Sequence, residues 1–130
     1  HPVFFGMLRQ LKGERLVLIT DCTRAGGMPD GDYDLGGQMM HVEGIHCLLP
    51  DGTIAGSILR LNLAVKNMIQ LGGASVAEAV NMASLNPARA FGIDDRKGSL
   101  EPGKDADIAI FDADFNALRT IIGGKTAYCR

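Results

Sequence analysis

The sequence predicts an α/β fold, and three observations carry that expectation. Leu16-Val17-Leu18-Ile19-Thr20-Asp21 is a short apolar run that stops abruptly on a carboxylate. Consecutive aliphatic residues without polar alternation suit a strand buried on both faces, as in a parallel sheet covered by helices. Apolar residues at helical spacing mark Val3 to Leu11 and two stretches further on. From Gly98 the chain turns to short β-compatible runs with no helix between them, which implies a separate β layer at the C-terminal end.

Composition narrows the function classes. At 130 residues with a formal net charge of -2, the chain is one ordinary domain at most, and its Lys and Arg residues form no basic stripe. Nucleic acid and anionic membrane surfaces are therefore not expected partners. Cys22, Cys47 and Cys129 are an odd number without metal-type spacing and read as reduced thiols of a cytoplasmic protein. No run approaches the ~18 apolar residues of a membrane span, and no signal segment opens the chain. The chain begins at His1-Pro2 without a methionine and is expected to be a fragment.

Taken in order, Val3, Phe4, Met7, Leu8 and Leu11 form a helical stripe, with Pro2 suited to the first turn and Gly13 to a stop. The buried strand Leu16 to Thr20 follows, and Cys22 to Pro29 reads as a glycine-containing loop. Strand C-terminal ends are where α/β folds place ligands and catalytic groups, so Asp21 is a site candidate. Pattern alone leaves it equally a turn cap. Tyr33 to Leu35, Gln38 to Glu43 and Ile45 to Leu49 predict a small β-meander broken at Gly36-Gly37 and Gly44. His41 and His46, five apart, are expected on opposite faces, which argues against a shared metal.

Thr53 to Ser57 is a run of small residues that lets backbone approach a ligand, and it is expected to feed a helix from about Ser57 to Leu71. The free N–H groups of such an end bind anions, although Ser57 as an ordinary N-cap explains the same pattern. Ser75-Val76-Ala77-Glu78 is a capping box for a further helix, expected to end at Asn86-Pro87, with a short turn from Ala88 to Phe91 closed by Gly92. Strands are predicted at Ile108 to Phe111, Ala117 to Ile122 and Thr126 to Cys129, the last two joined at Gly123-Gly124. Asp105, Asp107, Asp112 and Asp114 are read as turn residues rather than a calcium site.

Two stretches carry a family likeness. Ser84-Leu85-Asn86-Pro87-Ala88-Arg89, followed by Gly98-Ser-Leu-Glu-Pro-Gly103-Lys-Asp-Ala-Asp107-Ile, resembles the C-terminal signature of the amidohydrolase superfamily, metal-dependent hydrolases built as a (β/α)8 TIM barrel plus a small β-sandwich domain. Leu18 to Asp21, Gly31 to Gly37 and Asp51 to Ser57 leading into Leu61 to Asn67 narrow the resemblance to the N-acetylglucosamine-6-phosphate deacetylases, with Asp51 to Ser57 the most specific part. The likeness implies that residues 1–97 are the C-terminal end of the barrel, with the meander inserted at about 31–50, and that 98–130 are strands of the sandwich. A complete barrel needs about twice this length.

The same likeness implies the roles. Asp21 matches the catalytic aspartate at the end of the eighth barrel strand, and Ile54, Ala55 and Gly56 match the loop whose backbone contacts the sugar. A divalent metal ion, zinc or iron, is implied as cofactor, held mainly by residues upstream of this chain, so no metal ligand is assigned here. The implied partner is a small amino-sugar phosphate, and the implied assembly is a homodimer of the longer enzyme. Two alternatives stay open: another amidohydrolase acting on a different N-acyl or cyclic amide, and a non-catalytic fragment that associates with itself through unpaired strand edges.

Overall fold

The computed structural model describes residues 1–130, which divide into two compact units: residues 1–18 with 65–130, and residues 19–64. Helix α1, Val3–Lys12, forms where the apolar stripe predicts it and stops at Gly13, whose φ of 52° favours glycine. A 3-10 turn, Gly13–Arg15, leads into the apolar run.

That run is the first departure from expectation. Leu16 to Thr20 is not part of a sheet: Leu16 to Leu18 are half-buried, and Ile19 is 73% exposed. A strand exists only with a hydrogen-bonded neighbour, and no strand of this chain lies beside it. Three hydrogen bonds hold it instead: Leu16 N–H to the Gly13 carbonyl at 3.1 Å, and Leu18 N–H to the Met82 carbonyl and the Asn86 side-chain amide to the Leu16 carbonyl, both 2.8 Å.

In the first unit, Val65, Met68, Ala74, Ala79 and Met82 form the buried core, with Phe5, Leu16, Leu18 and Phe115 packed against it. These residues come from α2, Leu61–Gln70, α3, Val76–Ala83, and the segments around them. The capping box is present, since Glu78 N–H donates to Ser75 Oγ while Ser75 N–H donates to the Glu78 carboxylate. The expected end of α3 is corrected. It stops at Ser84, and Asn86-Pro87 lie inside a new short helix, α4, Leu85–Ala90. Proline in a first helical turn gives up no hydrogen bond, because those N–H groups have no intrahelical partner.

The C-terminal strands are β4, Ile108–Phe111, β5, Ala117–Ile122, and β6, Lys125–Cys129, an antiparallel sheet in that order. The loop before it, which carries the signature from Gly98 to Asp107, is tied by its charged residues. Lys104, with a side chain only 12% exposed, donates to the Asp94 carbonyl and to Ser99 Oγ. Lys97 pairs with both Asp105 and Asp107, and Asp107 also accepts the Gly123 N–H at 2.8 Å. Asp112 accepts the N–H groups of Asp114 and Asn116, as a turn residue does.

These contacts set an acid limit. The Lys97 ammonium holds the Asp105 and Asp107 carboxyls below their ordinary range, and the Gly123 N–H adds to the effect on Asp107. Carboxyls depressed on folding stabilise above the unfolded value and lose that contribution as pH falls through the folded one. Melting temperature measured against pH is therefore expected to separate the native chain from Lys97→Met above the ordinary carboxylate range, with the gap closing as pH falls below it. A gap that stays constant across that range would exclude the linkage.

The second unit holds the meander: β1, Gly31–Leu35, β2, Gln38–Glu43, and β3, His46–Leu48, antiparallel in that order. Met40, Val42 and Cys47 are buried on one face with Ala25, backed by Tyr33, Leu35, Ala55 and Ile58. The other face is exposed, and it carries both histidines. The expectation that they face opposite ways is corrected: the chain reverses at Gly44, so Glu43 lies across from His46 and His41 shares that exposed face. Spacing along one strand says nothing across a turn. His41 Nδ1 lies 2.7 Å from an Asp32 oxygen, which raises its pKa.

Candidate active site

Asp21 sits at the end of the apolar run in the left-handed region, with φ 47°, one of two non-glycine residues of the chain at positive φ. Aspartate tolerates this conformation better than most side chains, and such positions concentrate at functional sites. Its carboxylate is exposed and engages no hydrogen bond or ion pair of this chain.

The next residue locates the candidate loop. Cys22 forms a parallel bridge with Ser57, and Thr23 N–H donates to the Ser57 carbonyl at 2.8 Å, so Asp21 lies alongside Gly56. Gly56 has no room for a side chain, since a Cβ there would stand 2.6 Å from the Thr23 methyl. Ile54 bridges Leu48 antiparallel, and Ala55 N–H donates to the Cys47 carbonyl at 2.8 Å. The Asp51 carboxylate turns the chain before them by accepting the Thr53 N–H, which lowers its pKa. Ile54, Ala55 and Gly56 thus run from the edge of β3 to Asp21, with Ile54 78% exposed. The structure brings together all four residues singled out in the sequence.

Two features differ from expectation. The helix does not begin at Ser57. Ser57 is held by Cys22, its hydroxyl accepts the Leu59 N–H, and α2 starts only at Leu61. No helix N-terminus therefore follows directly from the Gly56 loop, and Ser57 is not the cap of α2. The second is Thr23, which sequence reasoning passed over. Its Oγ1 is the one buried side-chain oxygen or nitrogen without a hydrogen-bond partner, a state that costs about 1–3 kcal/mol. Only its position two residues after Asp21 could have flagged it.

The residues present do not form a metal centre. No three His, Cys, Asp or Glu side chains are arranged to hold an ion. Asp21 is a single carboxylate, and His41 is engaged with Asp32 on the meander. No helix is long and apolar enough to cross a membrane.

Comparison with known proteins gives a consistent result. The amidohydrolase family model matches residues 11–127. The chain is 43% identical over 129 residues to an N-acetylglucosamine-6-phosphate deacetylase of Bacillus subtilis, covering 98% of this chain and 33% of that protein. It is 42% identical over 127 residues to an N-acetylgalactosamine-6-phosphate deacetylase of Escherichia coli O157:H7, covering 98% of this chain and 34% of that protein. Among solved structures, N-acetylglucosamine-6-phosphate deacetylase from Pasteurella multocida superposes with a TM-score of 0.89 at 31% identity, over 96% of this chain and 33% of that one. The chain spans about a third of the length of these three relatives.

Proposed function

The chain belongs to the amidohydrolase family, and from that premise we propose that it supplies the carboxylate-bearing third of an enzyme that removes the N-acetyl group from N-acetylglucosamine 6-phosphate. The products are glucosamine 6-phosphate and acetate. In this reading residues 1–97 close a (β/α)8 barrel around the meander at about 31–50, and 98–130 belong to a β-sandwich domain. The longer enzyme is a cytoplasmic homodimer.

Asp21 carries the reading. Amide hydrolysis forms a C–O bond from water and breaks a C–N bond whose amine leaves poorly. One carboxylate serves both halves by accepting the water's proton and returning it to the departing nitrogen. Asp21 is suited to this role because no partner within the chain competes for it and its backbone is held at an uncommon angle beside Gly56. Ile54, Ala55 and Gly56 present backbone groups next to it, and the absence of a Cβ at Gly56 lets that strip pack closely against Thr23, two residues after Asp21. A divalent ion finds no ligand set among these residues, so proton transfer is the part assigned to this chain.

The names of the relatives support this substrate. The galactosamine relative, at 42% identity, supports a second reading in which the sugar is the C4 epimer. Acetate release by the complete gene product carrying these residues, assayed with both 6-phosphates in parallel, tests the two. Saturable release from the glucosamine substrate, with the epimer slower, is the expected result. Faster release from the epimer would replace the substrate assignment. Release from neither would end the deacetylase reading.

A further inference from the structure

We propose that a cleft on the first unit, walled by α1, the Gly13–Arg15 turn, α3 and α4, binds a small oxyanion, a carboxylate or a phosphate ester, on the guanidinium of Arg89. The cleft has a volume of about 200 Å³ and is lined by Arg9, Glu14, Glu78, Asn81, Met82 and Asn86 along with Arg89 and Gly13. Two guanidinium groups and two carboxylates face it. They are not equivalent.

Arg9 and Glu78 are committed. Arg9 donates Nε to the Gly72 carbonyl at 3.2 Å and Nη1 to Glu78 at 3.1 Å, and the Glu78 carboxylate also accepts the Ser75 N–H at 2.7 Å. The Arg9 side chain is only 27% exposed. Their charges cancel, and both are fixed by further bonds.

Arg89 and Glu14 are loosely joined. Their single contact is 3.4 Å long, and the Glu14 side chain is 88% exposed. An exposed ion pair of this kind contributes little, so an incoming oxyanion displaces Glu14 at small cost. Arg89 then offers a planar fork that matches a carboxylate or phosphate in two parallel hydrogen bonds. Asn86, 6% exposed, lines the same cleft and uses one side-chain N–H on the Leu16 carbonyl, which leaves the other to the ligand. The net charge left by displacing Glu14 is positive, and that selects an anion.

The position gives the site a consequence. Met82 and Asn86 line the cleft, and they also make hydrogen bonds to Leu18 and Leu16, Met82 through its carbonyl and Asn86 through its side-chain amide. An occupant in contact with them bears on how Leu16 and Leu18 are held. The proposal does not depend on the deacetylase reading, because it concerns residues on helices rather than the Asp21 loop.

The test is titration of the complete gene product carrying these residues with inorganic phosphate and, separately, with acetate, at ionic strength held constant with chloride, read by side-chain amide shifts of Asn81 and Asn86. Saturable shifts are expected with at least one of the two, and which one identifies the class of ligand. Arg89→Gln is expected to weaken binding about 10-fold or more, and Glu14→Gln to tighten it a few-fold by removing the competing carboxylate. Arg89→Lys, which keeps the charge and loses the fork, is expected to fall between. Equal binding by the native chain and Arg89→Gln, no tightening in Glu14→Gln, or no saturation with either anion would each overturn the proposal.

Discussion

Replacing Asp21 with asparagine is expected to lower acetate release by the complete enzyme by about 10²–10⁴-fold while leaving the chain folded. The amide is nearly the same size as the carboxylate and neither accepts a proton from water nor returns one. Asparagine also tolerates the left-handed backbone that Asp21 adopts at φ 47°. Alanine is the informative contrast. It removes the same chemistry and strains the backbone as well, at about 1–2 kcal/mol. Asn and Ala variants should therefore be equally inactive, with only Ala lowering the melting temperature. Near-normal turnover by Asp21→Asn would remove this residue from the mechanism.

The second large effect concerns stability. Gly98 opens the signature loop at φ 91°, and a Cβ there would stand 2.8 Å from the Ala88 methyl carbon and 2.9 Å from the Leu85 Cα. One of these contacts is backbone, so no rotamer change relieves it. Gly98→Ala is expected to cost about 3 kcal/mol or more, the sum of overpacking and left-handed strain. For a chain of this size that is a fall of roughly 10 °C in melting temperature. Gly103 supplies the control. It has the same φ of 91° with nothing within 4 Å, so Gly103→Ala reports strain alone and should cost about 1 kcal/mol. Equal losses at the two positions would mean that the packing of Gly98 against α4 is not what fixes it.

Local chemistry was legible in the sequence wherever a few neighbouring residues complete a structure. The capping box of Ser75 and Glu78, the meander broken at Gly36-Gly37 and Gly44, and the hairpin at Gly123-Gly124 all depend on contacts a few residues apart. What was missed needed partners far along the chain. Leu16 to Thr20 has a strand's composition and lacks a neighbouring strand. Ser57 has the look of an N-cap, yet Cys22, 35 positions earlier, takes it into a bridge and delays α2 to Leu61. The histidines were placed by counting along one strand when a turn lay between them. Asn86-Pro87 carries a stop signal that serves equally as a start.

The candidate site divides in the same way. Asp21 was legible as the last residue of an apolar run, and the family likeness, not its spacing, gave it a role. Its left-handed backbone was not legible, since no neighbouring glycine announces it. The closeness of Asp21 to Gly56 depends on a bridge across some 35 residues, which periodicity does not reach. Thr23 is ordinary in composition, and only its unpartnered hydroxyl distinguishes it.

The hydrogen bonds on the Leu16 to Thr20 run have a consequence for amide exchange with solvent. Leu16 and Leu18 donate their N–H groups within the chain, whereas Val17, Ile19 and Thr20 have no such acceptor. In heavy water those three amides are left to exchange at rates close to those of an unstructured peptide, with the Leu18 amide protected between them. Strands laid along the run from outside the chain would slow all three together. Deuterium uptake over this short peptide therefore reports whether Asp21 stands at the end of a free segment or of a finished sheet.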